Sequence, residues 1–266
     1  LALLLTQIDK VILSRLLTLE MFGYYMLAWT VAGALYQLTG PITQAYYPRF
    51  TELITRGDTP ALAGAYHQGA QLVSAFVAPA AFMLMFFGKN LLVLWTGNAG
   101  LSDNVAPVLI LLALGTMLNG LMHVPSMLTY AYGWPGFTVR VNAVAVMVLM
   151  PAILWVTPRY GAIGAAWIWV ALNVGHVIIS IHFMHRRLLP GEKWRWYGVD
   201  IGAPLAAAVL MAGAFRYLQP EVISRPAELL WLVAAGIITT AVAAFVAPEL
   251  RKTIIRQIHV YGDGFK

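Results

Sequence analysis

The chain contains no cysteine. Disulfides, thiolate catalysis and cysteine-ligated metals are thereby excluded. Charge is scarce as well. Asp, Glu, Lys and Arg make up 11% of the 266 residues, against about 25% in soluble domains. Only eleven residues are acidic, most of them in loops. No His-x-x-x-His pair or carboxylate cluster offers a metal site. Also missing are Gly-x-Ser-x-Gly, a Gly-Lys-Ser/Thr phosphate loop and His-Glu-x-x-His, so neither hydrolase chemistry nor ATP-driven pumping has a carrier here. No enzymatic activity and no cofactor are expected. There is no initiator Met, no basic leader and no small-residue cleavage site, so the apolar start is not a signal peptide. It reads as an internal helix, and the chain as the C-terminal part of a longer protein.

What is present is hydrocarbon. Hydrophobic residues make up 60% and the mean hydropathy is +0.74, values of an integral membrane protein. An all-α, polytopic transmembrane bundle is expected. Eight apolar segments lie at about 1–17, 23–46, 66–88, 104–131, 137–157, 161–184, 199–217 and 228–247, each near the roughly 20 residues that cross about 30 Å of hydrocarbon. Pro41 should bend or loosen the second, and Pro107 and Pro125 the fourth. The division into domains follows: 1–184 as a six-helix lobe, 185–198 as a basic linker, 199–247 as two further spans and 248–266 as a tail. Eleven Lys and Arg fall on the side of the linker and tail, and five on the other, with Lys10 left inside the membrane. The richer side should be cytoplasmic. The net charge of +6 is explained by this sorting and by anionic headgroups, without nucleic acid.

The first segment carries ions in hydrocarbon. Asp9, Lys10 and Arg15 sit among Leu, Ile and Val, and an ion there costs about 2.5–3.5 kcal/mol on insertion scales. At 100° per residue, Thr6, Gln7, Lys10 and Ser14 share one face. In the second segment Thr30, Gly33, Gln37, Gly40, Pro41 and Gln44 form a stripe. In the fourth, Gly115, Asn119, His123, Ser126 and Tyr130 align, and in the sixth, Trp169, Asn173, His176 and Ser180. Such stripes either seam helices together or line a wet cavity. A histidine in a span serves as proton relay, ligand contact or hydrogen-bonded core residue.

Gln7-Ile8-Asp9-Lys10-Val11-Ile12-Leu13-Ser14, then Phe22-Gly23-Tyr24-Tyr25-Met26-Leu27-Ala28, Pro41-Ile42-Thr43-Gln44-Ala45-Tyr46-Tyr47-Pro48-Arg49-Phe50 and Tyr160-Gly161-Ala162-Ile163-Gly164-Ala165-Ala166-Trp167 resemble the oligosaccharide flippases of bacterial polysaccharide biosynthesis. These belong to the multidrug/oligosaccharidyl-lipid/polysaccharide exporter superfamily, and the likeness covers most of residues 1–185. It implies two six-helix lobes meeting in a V, often followed by two extra helices. This chain would be the second lobe plus the extra pair, with an N-terminal lobe as its missing partner. The implied substrate is an undecaprenyl-pyrophosphate-linked oligosaccharide, flipped across the bacterial inner membrane with its tail in membrane lipid. The family's cavity is cationic and polar, with Lys10 and Arg140 its nearest counterparts here. The candidate cavity set is Gln7, Asp9, Lys10, Ser14, Gln37, Gln44, Asn119, His123, Arg140, Asn173 and His176. Coupling to a proton or sodium gradient would use Asp9. The rival readings are a multidrug or cation antiporter of the same superfamily and a membrane-embedded glycosyltransferase or polymerase.

Overall fold

The computed structural model describes residues 10–220, 224–253 and 255. Among them the fold is helical without strands: α1 (residues 10–16), α2 (Leu19–Gly33), α3 (Tyr36–Arg56), α4 (Thr59–Thr96), α5 (Ala99–Leu121), α6 (His123–Ala131), α7 (Pro135–Leu188), a short α8 (Lys193–Arg195) running into a π-helix (Trp196–Gly202), α9 (Ala203–Tyr217), α10 (Arg225–Val246) and a final turn over 248–253. Five stretches are long and apolar enough to cross a membrane: α4, α5 with α6, α7, the stretch from α8 through α9, and α10. The protein is a multi-pass membrane bundle. The first expected segment lies partly outside the described residues. The second is divided into α2 and α3 and is not among the five.

Helix ends follow local chemistry. Gly57 and Gly97, both at φ 69°, end α3 and α4 in the left-handed conformation that glycine adopts without a Cβ clash. The very next residue caps the next helix. Asp58 accepts from Ala61 N at 3.0 Å and Asn98 from Leu101 N at 3.0 Å. Two reversals of two residues each, Gly57-Asp58 and Gly97-Asn98, thus fold α3, α4 and α5 against each other.

The proline bends fall upstream of the prolines. α3 runs through Pro41 and Pro48, whereas the break from α2 lies at Ala34–Leu35. Around it Ala34, Leu35, Gln37 and Leu38 make i→i−3 backbone bonds of 3.0–3.2 Å. The Pro41 ring crowds the carbonyl of Gln37, and the helix tightens on that side. The long fourth segment breaks at Met122, with Pro125 in the first turn of α6. The fifth and sixth expected segments are the two arms of α7. They are joined at Gly161, whose φ of 60° and ψ of −147° interrupt the helix. Beyond it Ala162, Ala165 and Ala166 are buried. A Cβ on Gly164 would stand 2.8 Å from Val156 Cγ1.

α4 is the central strut, flanked by α3, α5, α9 and α10. Small residues set the close approaches, as they must where lipid gives helices no hydrophobic reason to associate. Ala28 and Ala32 of α2, Ala208 and Ala212 of α9, and Ala235 and Ala243 of α10 are all 0% exposed.

α9 and α10 are fastened to α4 by a buried polar network. His67, Gln71 and Ser74 lie on one face of α4, and all three are fully buried, as is Asp200 in the π-helix. The Asp200 carboxylate pairs with His67 Nδ1 through one oxygen and accepts from Gln71 Nε2 at 2.8 Å through the other. Ser74 Oγ donates to the Asp200 carbonyl at 2.5 Å. His67 Nε2 meets Glu192 Oε2 at 2.9 Å. Gln71 Oε1 accepts from the backbone N–H of Glu249 at 2.8 Å, closing the start of the final turn. Both His67 nitrogens therefore face carboxylates, Asp200 at Nδ1 and Glu192 at Nε2. The extra turn width of the π-helix aims Asp200 inward. A Cβ on Gly202 would lie 2.8 Å from Tyr197 O. At the other end of α4, Asn90 Nδ2 donates to Glu228 of α10 at 2.5 Å and Arg216 of α9 reaches Asn90 Oδ1 at 3.4 Å.

Asp200→Ala strands His67 against Glu192 and removes both carboxylate bonds. It should cost about 3–5 kcal/mol, the penalty for breaking one partner out of a buried pair. Asp200→Asn, which keeps an acceptor for Gln71, should cost less. Unfolding of the detergent-solubilised protein measures both, and an Asp200→Ala variant within about 0.5 kcal/mol of wild type would show that the network is not the fastening. Gly161→Ala should cost about 1–3 kcal/mol from backbone strain alone, since nothing lies within 4 Å of its Cβ position. Gly64→Ala, in a helix and equally uncrowded, should be neutral or stabilising. Equal effects of the two substitutions in the same assay would remove the role assigned to the hairpin turn.

Candidate functional site

The structure sorts the sequence-derived candidates into three places. Gln7 and Asp9 lie outside the described residues. Lys10 is half-buried, with Nζ 4.4 Å from the Trp29 ring centroid, and Ser14 is exposed, donating to Val11 O at 2.8 Å.

The second place is a polar junction where α3, α5, α6 and the second arm of α7 meet. Asn119 Nδ2 donates to Asn173 Oδ1 at 2.8 Å. Asn173 Nδ2 donates to Trp169 O, also at 2.8 Å. Tyr36 Oη donates to Asn119 Oδ1 at 3.2 Å. His123 Nδ1 meets Thr39 Oγ1 at 2.7 Å, and its ring stacks on Tyr36 with centroids 5.5 Å apart. Asn173 is fully buried. Trp169 lies edge-on to Trp29 at 5.2 Å and fills the groove left by Gly115, where a Cβ would come within 2.3 Å of its Cδ1. An aromatic path therefore connects Lys10, through Trp29 and Trp169, to the amide pair. Here Asn119, His123 and Asn173 bond helix to helix.

The third place is the outward surface. Thr30, Gln37, Pro41 and Gln44 are all exposed, while Ala28, Ala32, Thr39, Thr43 and Tyr46 of the same helices are buried. On α3 the Gln37, Pro41 and Gln44 side is thus the outward one, whereas Thr30, on α2, lines a groove shared with α4 and α10. Arg140, exposed, and His176, half-buried, line a groove of about 660 Å³ between the arms of α7. Gln37 and Gln44 belong to a different face from this groove.

Sequence reasoning misses the buried network of His67, Gln71, Ser74, Glu192 and Asp200, and the partners Tyr36 and Thr39. The first has a signal. Residues 67, 71 and 74 are spaced i, i+4, i+7 inside an apolar helix, which places three polar groups on one face. Tyr36 and Thr39 give none, because a tyrosine and a threonine beside a stripe look like ordinary packing residues until the partner helix is in place.

A family model described as "Polysaccharide biosynthesis protein" matches residues 1–102. The chain is 26% identical over 200 residues to the lipopolysaccharide biosynthesis protein WzxC of Escherichia coli strain K12, an alignment covering 75% of this chain and 40% of that protein. The chain thus spans less than half the length of this curated relative. No solved structure matches it. Both comparisons bear out the resemblance that the chain's own motifs carry, to proteins of bacterial polysaccharide biosynthesis.

Proposed function

We propose that the chain forms the second lobe and the following helix pair of a flippase that moves undecaprenyl-pyrophosphate-linked oligosaccharide across the bacterial inner membrane. The observation that carries this reading is the exposed pair Gln37 and Gln44, one face of α3, whose other face with Thr39, Thr43 and Tyr46 is packed. Polar side chains at membrane depth do not face hydrocarbon. A stripe turned away from its own bundle meets water or another protein lobe, and a cavity between two lobes supplies both. Amides there suit sugar hydroxyls, and Lys10 suits a pyrophosphate. Pro41 and the Ala34–Leu35 break, on the same helix pair, place a deformable point next to the stripe, as helices that rock during alternating access require. The function is transport rather than catalysis.

The cation-antiporter reading is less favoured. An antiporter binds its cation at carboxylates open to the cavity. The fully buried carboxylate among the described residues is Asp200, which is committed to His67, Gln71 and α4.

The test is complementation with the full-length protein in a bacterial strain lacking its own flippase, reading surface polysaccharide and the leaflet that holds the lipid-linked oligosaccharide. The wild type should restore export. Gln37→Leu with Gln44→Leu should reduce it about tenfold or more, the loss of one to two hydrogen bonds, at unchanged membrane abundance. Lys10→Met should also fail while Lys10→Arg retains part of the activity. Normal export by the double Leu variant would end the cavity assignment of the stripe. No export by an abundant wild-type protein would end the flippase reading itself.

A further inference from the structure

The groove between the arms of α7 has two chemically distinct parts. Its walls are aliphatic: Val144 and Val148 on the first arm, Ile168 and Leu172 on the second. Val144 and Val148 are 56% and 63% exposed, so this is an open furrow on the outside of the bundle. Its mouth is cationic. Arg140 from the first arm and Arg187 from the second both line it, and no acidic residue does. Each guanidinium is held in place. Arg140 Nε donates to Gly136 O at 3.0 Å, and Arg187 lies over the Trp134 ring at 4.2 Å. Neither anchor neutralises the charge.

The dimensions fit a particular occupant. From Arg140 to Ala152, the lining residues of the first arm span about 18 Å of helix. That is a little over half of the roughly 30 Å hydrocarbon core, the depth of one leaflet. The mouth lies at the open end of the α7 hairpin, next to Arg186, Lys193 and Arg195, the cytoplasmic end by charge bias. A furrow one leaflet deep, apolar along its length and doubly cationic at the headgroup level, is complementary to one lipid molecule. Guanidinium groups suit a phosphate better than ammonium groups do, because their paired N–H donors match its oxygens.

We propose that the α7 hairpin is a binding site for an anionic phospholipid, one whose phosphate charge no headgroup cation neutralises, of the cytoplasmic leaflet. Arg140 and Arg187 take the phosphate, and one hydrocarbon tail lies between the arms along Val144, Val148 and Leu172. Trp134 positions Arg187 and stands at the interface. The lipid packs against Val144 and Val148, which are exposed among the described residues. The site does not depend on whether the protein transports lipid-linked sugars.

Native mass spectrometry of the purified full-length protein, titrated separately with phosphatidylglycerol and phosphatidylcholine, tests it. The wild type should retain phosphatidylglycerol preferentially. Arg140→Gln with Arg187→Gln should weaken that retention about 30-fold, about fivefold per arginine. Arg186→Gln, on the neighbouring residue that does not line the groove, should leave it unchanged. Val144→Trp fills the furrow without touching the charges, at a position exposed enough to be tolerated, and should weaken retention of phosphatidylglycerol as well. Equal binding of the two lipids would overturn the proposal. So would an Arg186→Gln effect as large as that of the double variant, or wild-type retention by Val144→Trp, which would mean that protein rather than lipid covers the hairpin.

Discussion

In a membrane no water is available to complete a hydrogen bond, so every polar group at depth must be answered by another part of the protein. The carboxylate of Asp200 is the severest instance here, fully enclosed and bonded on both oxygens. Its donors, His67 and Gln71, come from the central helix α4. Its own backbone carbonyl is taken by Ser74 of the same helix. Since an unpartnered buried charge is so costly, the π-helix has one acceptable rotation and depth on α4. That fixes the entry of α9. Through Gln71 and Glu249 it also fixes the exit of α10. The packing of small residues along α4, α9 and α10 then proceeds from a register already set.

The helices themselves are legible from apolar run length, and the polar stripes from periodicity. Asn119, His123 and Asn173 stand out on one helix wheel at a time. Their pairing is not legible, because Asn119 and Asn173 meet across 54 residues and either could face a cavity. Pro41 correctly announces a discontinuity in the second segment, but not its place: the helix yields where the ring presses on the preceding turn. Asp200 stands second in the expected segment 199–217, on none of the polar stripes. Only the π-helix, which no composition signal announces, turns it inward.

The hairpin illustrates the opposite balance. Gly161-Ala162-Ile163-Gly164-Ala165-Ala166 is recognisable as a motif from its residues alone. The fold gives it specific physical content: Gly161 supplies a backbone angle that other residues adopt at a cost, Gly164 lets the turn close on Val156, and the alanines seat the second arm. The first arm carries no such instructions. Its valines and leucines are compatible with lipid, with a lipid tail held in place, or with a neighbouring lobe.

The two sets of polar bonds along α4 have a mechanical meaning. Gln71 and Asn90 are 19 positions apart, about 28 Å of helix, close to the thickness of the hydrocarbon. Near the first lie Asp200 and Glu249, and near the second lie Arg216 and Glu228. A beam held at one point can pivot, whereas one held at both ends cannot. Doubly mounted in this way, α9 and α10 take their orientation from α4 at both ends of the helix.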